Sequence, residues 1–298
     1  MMNRVFLFFV VLLLLSCNNG GIEDYKKDSE TCHSSPEAKG IMHDGENREY
    51  LLYLPDSYNV SSPIPLLFNF HGFGDSASNH MINADMRALA ESDTFILVYP
   101  QGSCSEGSPH WNPCPIDVDN KSTADDLGFV EAMIDEISSK HNVDMERIYA
   151  AGYSNGGMMA YGLANYKSDL IAAIASVSGA MLDCTGFTSH PMPVVHLHGT
   201  SDYVIPYEGG DNYSAAQNTL DYWIDFNNTS TNPTVSFDNS GGMPIEYYVY
   251  GQGENAVSVE HYKYIGGDHV WFNNTYQGQN TATLIWNFLS KYDIKGLR

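Results

Sequence analysis

Short runs of consecutive apolar residues alternate along this chain with stretches whose apolar positions recur every three or four residues. Tyr50 to Leu54, Leu66 to Phe70, Phe95 to Tyr99, Arg147 to Ala151, Ile171 to Val177 and Val194 to His198 read as strands, several stopped by Pro or Gly. Val257 to Tyr264 alternates apolar and polar residues, which predicts a half-exposed strand. Helical spacing covers Met81 to Glu91, a segment capped by Asp125 or Asp126 and running to about His141, Gly157 to Tyr166, Asn218 to Phe226 and Thr281 to Tyr292. In the second of these, Leu127, Val130, Ile134 and Ile137 share one face. Strands alternating with helices predict an α/β fold: a mostly parallel central sheet with helices on both faces, in a single domain. Residues 101–124 interrupt the alternation with a long loop rich in Gly, Pro and Ser, and loops of that length shape binding sites.

Sheets of this kind place their chemistry at the carboxyl ends of the strands, so those junctions were read for reactive side chains. Gly152-Tyr153-Ser154-Asn155-Gly156 is a G-x-S-x-G between an expected strand and an expected helix. That context is the one a nucleophile elbow of the α/β-hydrolase fold requires. Glycines two before and two after leave room for a sharp turn, and the serine projects at the positive end of the helix. A serine hydroxyl needs a base, and the chain order in this fold is Ser, Asp or Glu, His. Asp202 ends a small-residue turn after Val194 to His198, and His269 follows Gly266-Gly267 after the alternating strand. The reading is Ser154 as nucleophile, His269 as base and Asp202 as the acid that orients it. Asp183 and Asp268 are rival acids, and His190, His196, His198 and His261 rival bases. His196 and His198 share one face of a strand, a spacing that fits structural histidines better than a metal. The oxyanion hole is expected from the N–H groups of Asn155 and of Phe73, in the turn His71-Gly72-Phe73-Gly74. Trp111 and Trp271 are expected to line the cleft and stack on substrate.

Those motifs, with Trp111-Asn112, Asp125-Asp126-Leu127-Gly128-Phe129 and Gly266-Gly267-Asp268-His269-Val270-Trp271, resemble the extracellular feruloyl esterases and polyhydroxybutyrate depolymerase-like serine esterases over residues 40–292. The resemblance implies hydrolysis of carboxylic esters through an acyl-enzyme without metal or organic cofactor. Its substrates would be feruloyl or acetyl esters of polysaccharide, or a short polyester such as polyhydroxybutyrate. Asp268 and Phe272 depart from the Gly-Gly-His-x-Trp-Pro common near the base in that family. A serine peptidase on the same scaffold and a non-catalytic glycan-binding surface lipoprotein are the alternatives.

The chain has 298 residues with 14 Lys+Arg against 36 Asp+Glu, a formal charge of -22 that repels phosphates and argues against a nucleic-acid partner. Arg4 precedes an apolar run from Val5 to Leu15 that is too short for a bilayer span of about 20 residues. It reads as an export signal over residues 1–16, and its Leu-x-Ser-Cys ending resembles a bacterial lipobox, which implies lipid on Cys17 and a place in the cell envelope or outside it. Residues 17–39 then read as a flexible tether and 40–298 as the catalytic domain. The other four cysteines suggest two disulfides in an exported chain, with three possible pairings. Cys104 and Cys114 lie in one loop, which favours Cys104–Cys114 and, by elimination, Cys32–Cys184.

Overall fold

A computed structural model describes Cys32 and residues 35–116, 120–184 and 186–298. The proposed leader, Cys17 and most of the proposed tether lie outside these residues. Ten strands form one sheet. In chain order the elements are β1 (Lys39–His43), β2 (Glu46–Tyr53), β3 (Ile64–Phe70), α1 (Ala77–Asn83), α2 (Arg87–Asp93), β4 (Ile96–Pro100), a small hairpin of β5 (Ser103–Ser105) and β6 (Ser108–His110), α3 (Asp126–Lys140), β7 (Val143–Tyr153), α4 (Asn155–Tyr166), β8 (Ala173–Val177), β9 (Val194–Gly199), α5 (Ala216–Phe226), β10 (Thr234–Asp238), β11 (Ile245–Tyr250), β12 (Val259–Tyr264) and α6 (Thr281–Leu289). A second hairpin, β13 (Tyr292–Asp293) with β14 (Gly296–Leu297), ends the chain. The sheet order is β1-β2-β4-β3-β7-β8-β9-β12-β11-β10. Pairing is parallel from β4 through β12 and antiparallel at both margins.

The central strands are buried on both faces, which is why they read as unbroken apolar runs. Leu66, Phe68, Val98, Ile148, Ala150, Ile174 and Val194 face a core shared with α3, α4 and α5. The alternate residues Leu67, Leu97, Tyr149, Ala151, Ala175, Val195 and Leu197 face a second core, shared with α1, α2 and α6.

Three expectations need correction. The helix expected from Met81 to Glu91 is two helices, because the Asp85 carboxylate accepts the Arg87 N–H at 2.9 Å and starts a new one. β12 is buried, not half-exposed, since β9 and β11 flank it and its polar residues find internal partners: Glu260 takes Lys291 and Tyr247, and His261 takes Tyr207. The disulfides are Cys32–Cys104 and Cys114–Cys184, not Cys104–Cys114 and Cys32–Cys184. Cys104 sits on the β5–β6 hairpin, which holds it against Cys32, while Cys114 meets the loop after β8. Cys32, which falls within the proposed tether, is thereby bonded to the body. Asp125 caps α3 by accepting the Gly128 N–H at 2.9 Å. Asp126 instead is buried against Arg48 at 2.6 Å and accepts the Asn112 N–H at 2.8 Å. Burial raises its carboxyl above the ordinary value despite the pull of Arg48.

Candidate active site

β7 ends in a turn so tight that Ser154 takes φ 54° and ψ −119° before α4 begins. A side chain on either flanking glycine would collide with backbone. A Cβ on Gly152 would stand 2.2 Å from the Gly156 carbonyl oxygen, and one on Gly156 would stand 2.2 Å from that of Phe70. The strain at Ser154 is held by its N–H, which donates to the Val177 carbonyl at 2.8 Å.

Two further strand ends bring partners to the serine. Asp202 follows β9, and His269 follows β12, the next strand over and parallel to it. Their loops are stitched together: Ser201 N–H donates to the Gly267 carbonyl at 2.8 Å, and Gly266 N–H to Thr200 Oγ1 at 2.8 Å. His269 Nε2 lies 2.9 Å from Ser154 Oγ, and His269 Nδ1 lies 2.7 Å from Asp202 Oδ2. The N–H groups of Val204 and Ile205 donate to Asp202 Oδ1 at 2.9 and 2.8 Å. Burial would raise the Asp202 carboxyl, but hydrogen bonds from His198, His269 and the Ile205 N–H outweigh it and hold the group well below the ordinary carboxylate range. It is therefore an anion at neutral pH, facing an imidazole that faces a hydroxyl.

The turn expected to complete an oxyanion hole adjoins the serine. A Cβ on Gly72 would lie 3.5 Å from the Ser154 Cβ. His71 anchors the turn: its Nε2 accepts the Gly102 N–H at 2.9 Å, and its Nδ1 donates to the Gly72 carbonyl at 2.7 Å. The Phe73 N–H has no partner among the described residues. The Asn155 N–H opens α4, where first-turn donors have no intrahelical acceptor. The Asn155 side chain grips the next loop at two points, accepting the Trp111 N–H at 2.7 Å and donating to the Trp111 carbonyl at 3.0 Å. Beside Asn155 opens a cleft of about 250 Å³, lined by Trp111, Pro113, Asn120, Lys121, Met158, Leu182, Asn212 and Tyr213.

Trp111 borders that cleft from within the protein. It is 0% exposed, wedged edge-on against Phe70, with its indole N–H donating to the His71 carbonyl at 3.0 Å. Trp111 thus lies at the cleft as expected, but its burial leaves no ring face open for stacking, and it braces the His71–Gly74 turn against Asn155. Trp271 is half-buried and meets His80 edge-on at 5.6 Å. Three of the rival residues have other surroundings. Asp268 accepts the N–H of His269 itself, Asp183 is exposed beside Glu208 and Asp211, and His190 is tied to the carbonyls of Ser168 and Pro191. Among the described residues no group of three or more His, Cys, Asp or Glu could hold a metal ion.

With this geometry in view, the profile of the phospholipase/carboxylesterase family matches residues 64–234, more than half of the chain and a span that contains Ser154 and Asp202. The chain belongs to that family. This carboxylesterase-family chain is 27% identical, over 85% of its length, to a bifunctional acetylxylan esterase/xylanase of Neocallimastix patriciarum, of which it spans only 34%. It is 24% identical to a probable feruloyl esterase C of Aspergillus flavus, covering 82% of this chain and 90% of that one. An acetyl xylan esterase from Aspergillus awamori shares the α/β-hydrolase fold, with a TM-score of 0.61 over 85% of this chain and 98% of that one at 14% identity.

Two contacts at the site were not read from the sequence. The Tyr153 hydroxyl donates to the His269 carbonyl at 2.9 Å and packs its ring 5.2 Å from the imidazole, so a variable position of the elbow motif helps hold the base. Its place beside the nucleophile was the only signal. His198 Nε2 lies 3.2 Å from Asp202 Oδ2. The spacing of four residues across a turn was visible, but only the fold of the turn brings the two together.

Proposed function

We propose that this chain is a serine carboxylesterase that works through an acyl-enzyme. The observation that carries the reading is the unbroken line from Ser154 Oγ through His269 to a carboxylate held ionised. His269 Nε2 takes the hydroxyl proton as Ser154 Oγ bonds to the ester carbonyl carbon. The oxyanion is received by the N–H groups of Asn155 and Phe73. Collapse breaks the bond to the alcohol, which leaves with the proton returned by His269. Water then attacks the acyl-enzyme by the same route and frees the serine. Each step runs on side chains and backbone donors, so the mechanism calls on no metal or organic cofactor.

The substrate we favour is a hydroxycinnamoyl ester on polysaccharide, with acetyl esters and short hydroxyacid polyester as poorer fits. The cleft beside Asn155 sets apolar Pro113, Met158, Leu182 and Tyr213 against polar Asn120, Lys121 and Asn212, which suits an aromatic ring carrying polar substituents, and it is far larger than an acetyl group needs. The names of the relatives support an ester on a plant polymer. Action outside the cytoplasm is supported by two disulfides and by the export-signal pattern, with Cys17 as the proposed lipid site and the tether leading to Cys32. No helix among the described residues is long and apolar enough to cross a membrane.

Purified protein is assayed with methyl ferulate, acetylated xylan and polyhydroxybutyrate side by side. The expected order puts methyl ferulate first, and Ser154→Ala lowers turnover on the order of 10⁴- to 10⁶-fold. Cleavage of peptide amides alone would indicate a peptidase, and glycan binding without ester turnover a binding protein.

A further inference from the structure

Asp202 Oδ2 faces two imidazoles. His269 Nδ1 lies 2.7 Å away and His198 Nε2 lies 3.2 Å away, and both His198 and Asp202 are buried. His198 Nε2 also sits 2.9 Å from the Ile205 carbonyl oxygen. A carbonyl oxygen only accepts, so Nε2 carries the proton and shares it between that carbonyl and the carboxylate. In the neutral imidazole Nδ1 of His198 is then an acceptor, and it takes the N–H of His196 Nε2 at 3.0 Å. His196 Nδ1 in turn accepts from the Tyr161 hydroxyl at 2.8 Å. With both imidazoles neutral, one carbonyl sets the direction of every hydrogen in a buried chain that runs from α4 through β9 to the site.

The surroundings leave the chain without a competing ion. His261, opposite His196 on β12, donates from Nδ1 to the His196 carbonyl at 2.9 Å and accepts from the Tyr207 hydroxyl at 2.9 Å. The Tyr207 ring stands edge-on to His198 at 5.6 Å, with the Lys263 ammonium 5.4 Å from the ring centre. Burial holds His196 well below the ordinary imidazole value and His261 at about 3, so both are neutral at neutral pH.

We propose that His198 is a positioning residue for the hydrolytic reaction. Its N–H, aimed by His196 and Tyr161, occupies part of Asp202 Oδ2. It thereby fixes the angle of the carboxylate and limits how strongly Asp202 holds the His269 imidazolium. The proposal rests on the reading of Ser154, Asp202 and His269 as a triad. Its physical basis is simple: an oxygen that already accepts one hydrogen bond offers less charge to the next. Losing the His198 donor frees the carboxylate to rotate, which slows proton transfer, and makes His269 more basic.

The test compares His198→Gln, His198→Asn and His198→Leu in the full chain. Initial rates with p-nitrophenyl acetate are measured from about pH 5 to pH 9 and scaled to folded sites by active-site titration. A Gln amide N–H can occupy the Nε2 position, whereas the Asn amide is too short to reach it. The expected result for Leu and Asn is a kcat lowered about 10- to 100-fold with KM within about twofold, and an acid limb of kcat/KM moved upward by about half a pH unit. The Gln variant returns the limb to its wild-type position and recovers most of kcat. If the Leu variant does not fold, the contrast between Gln and Asn carries the test. Identical limbs and similar kcat in all folded variants, with only melting temperature lowered, would overturn the proposal and leave His198 as packing. Full turnover by Ser154→Ala would instead remove the triad reading on which it rests.

Discussion

The turn that exposes Ser154 leaves no room for a methyl group at Gly152 or Gly156, because the atoms in the way are backbone carbonyls of the elbow and of β3. Gly152→Ala is expected to destabilise the fold by about 3 kcal/mol, measured by urea denaturation, since the colliding atoms cannot swing aside as a side chain would. Wild-type stability in that variant would show that the turn relaxes. This part of the site was legible in the sequence because its chemistry depends on near neighbours: a small residue either side of a serine, between a strand and a helix. Ser154, Asp202 and His269 could be nominated from motif and chain order. The His198 and Tyr153 contacts could not, because they depend on how the turn after β9 folds back and on which loop lies over the elbow. The burial of Trp111 at the cleft was hidden for a related reason: the Asn155 side chain and the His71 carbonyl that draw it inward come from distant parts of the chain.

Among the elements, the loop between β4 and α3 carries the most consequence. The Asp126–Arg48 pair anchors it, and the Cys114–Cys184 bond ties it to the loop after β8, so that Pro113 from one loop and Leu182 from the other line the same cleft. Asp126→Asn leaves the buried Arg48 charge uncompensated and is expected to cost about 3–5 kcal/mol in denaturant unfolding. Replacing Cys114 and Cys184 with Ser should raise KM for methyl ferulate several-fold while leaving kcat on p-nitrophenyl acetate near wild type, because the wall loosens and the triad does not. Equal loss on both esters would mean that the bond supports the catalytic residues themselves. The central strands were readable because burial on both faces leaves continuous apolar runs. The disulfide partners were not, since pairing follows which loops meet at the end of the sheet and not their spacing along the chain. The polar alternation of β12 was likewise taken for exposure, when Glu260 and His261 are in fact satisfied inside.

The molecule as a whole should lose stability as the solution becomes acidic, and well before its carboxylates titrate. Burial holds His71 at about 4 and His80 and His261 at about 3, with His196 also well below the ordinary value. In the unfolded chain these four imidazoles take up protons once pH falls below about 6.5. The folded chain does not follow until about 4 or lower, so the unfolded state binds more protons in that window. Stability therefore falls as pH falls through it, by up to about 1.4 kcal/mol per pH unit for each histidine. Asp202 adds a loss in the same direction at lower pH, because its depressed carboxyl is protonated first in the unfolded chain. Melting temperatures taken at intervals between about pH 7.5 and pH 4.5 should decline steadily, and a flat profile would contradict the buried neutral histidines.

The most direct measurement concerns the serine itself. The protein is treated with a phosphonate ester that mimics the tetrahedral intermediate, and its peptides are mapped by mass. The account predicts a single phosphonyl group, on Ser154, with ester hydrolysis lost in proportion to labelling and with labelling greatly slowed in His269→Ala. Complete inhibition with the label on another residue, or undiminished hydrolysis by protein labelled at Ser154, would contradict it.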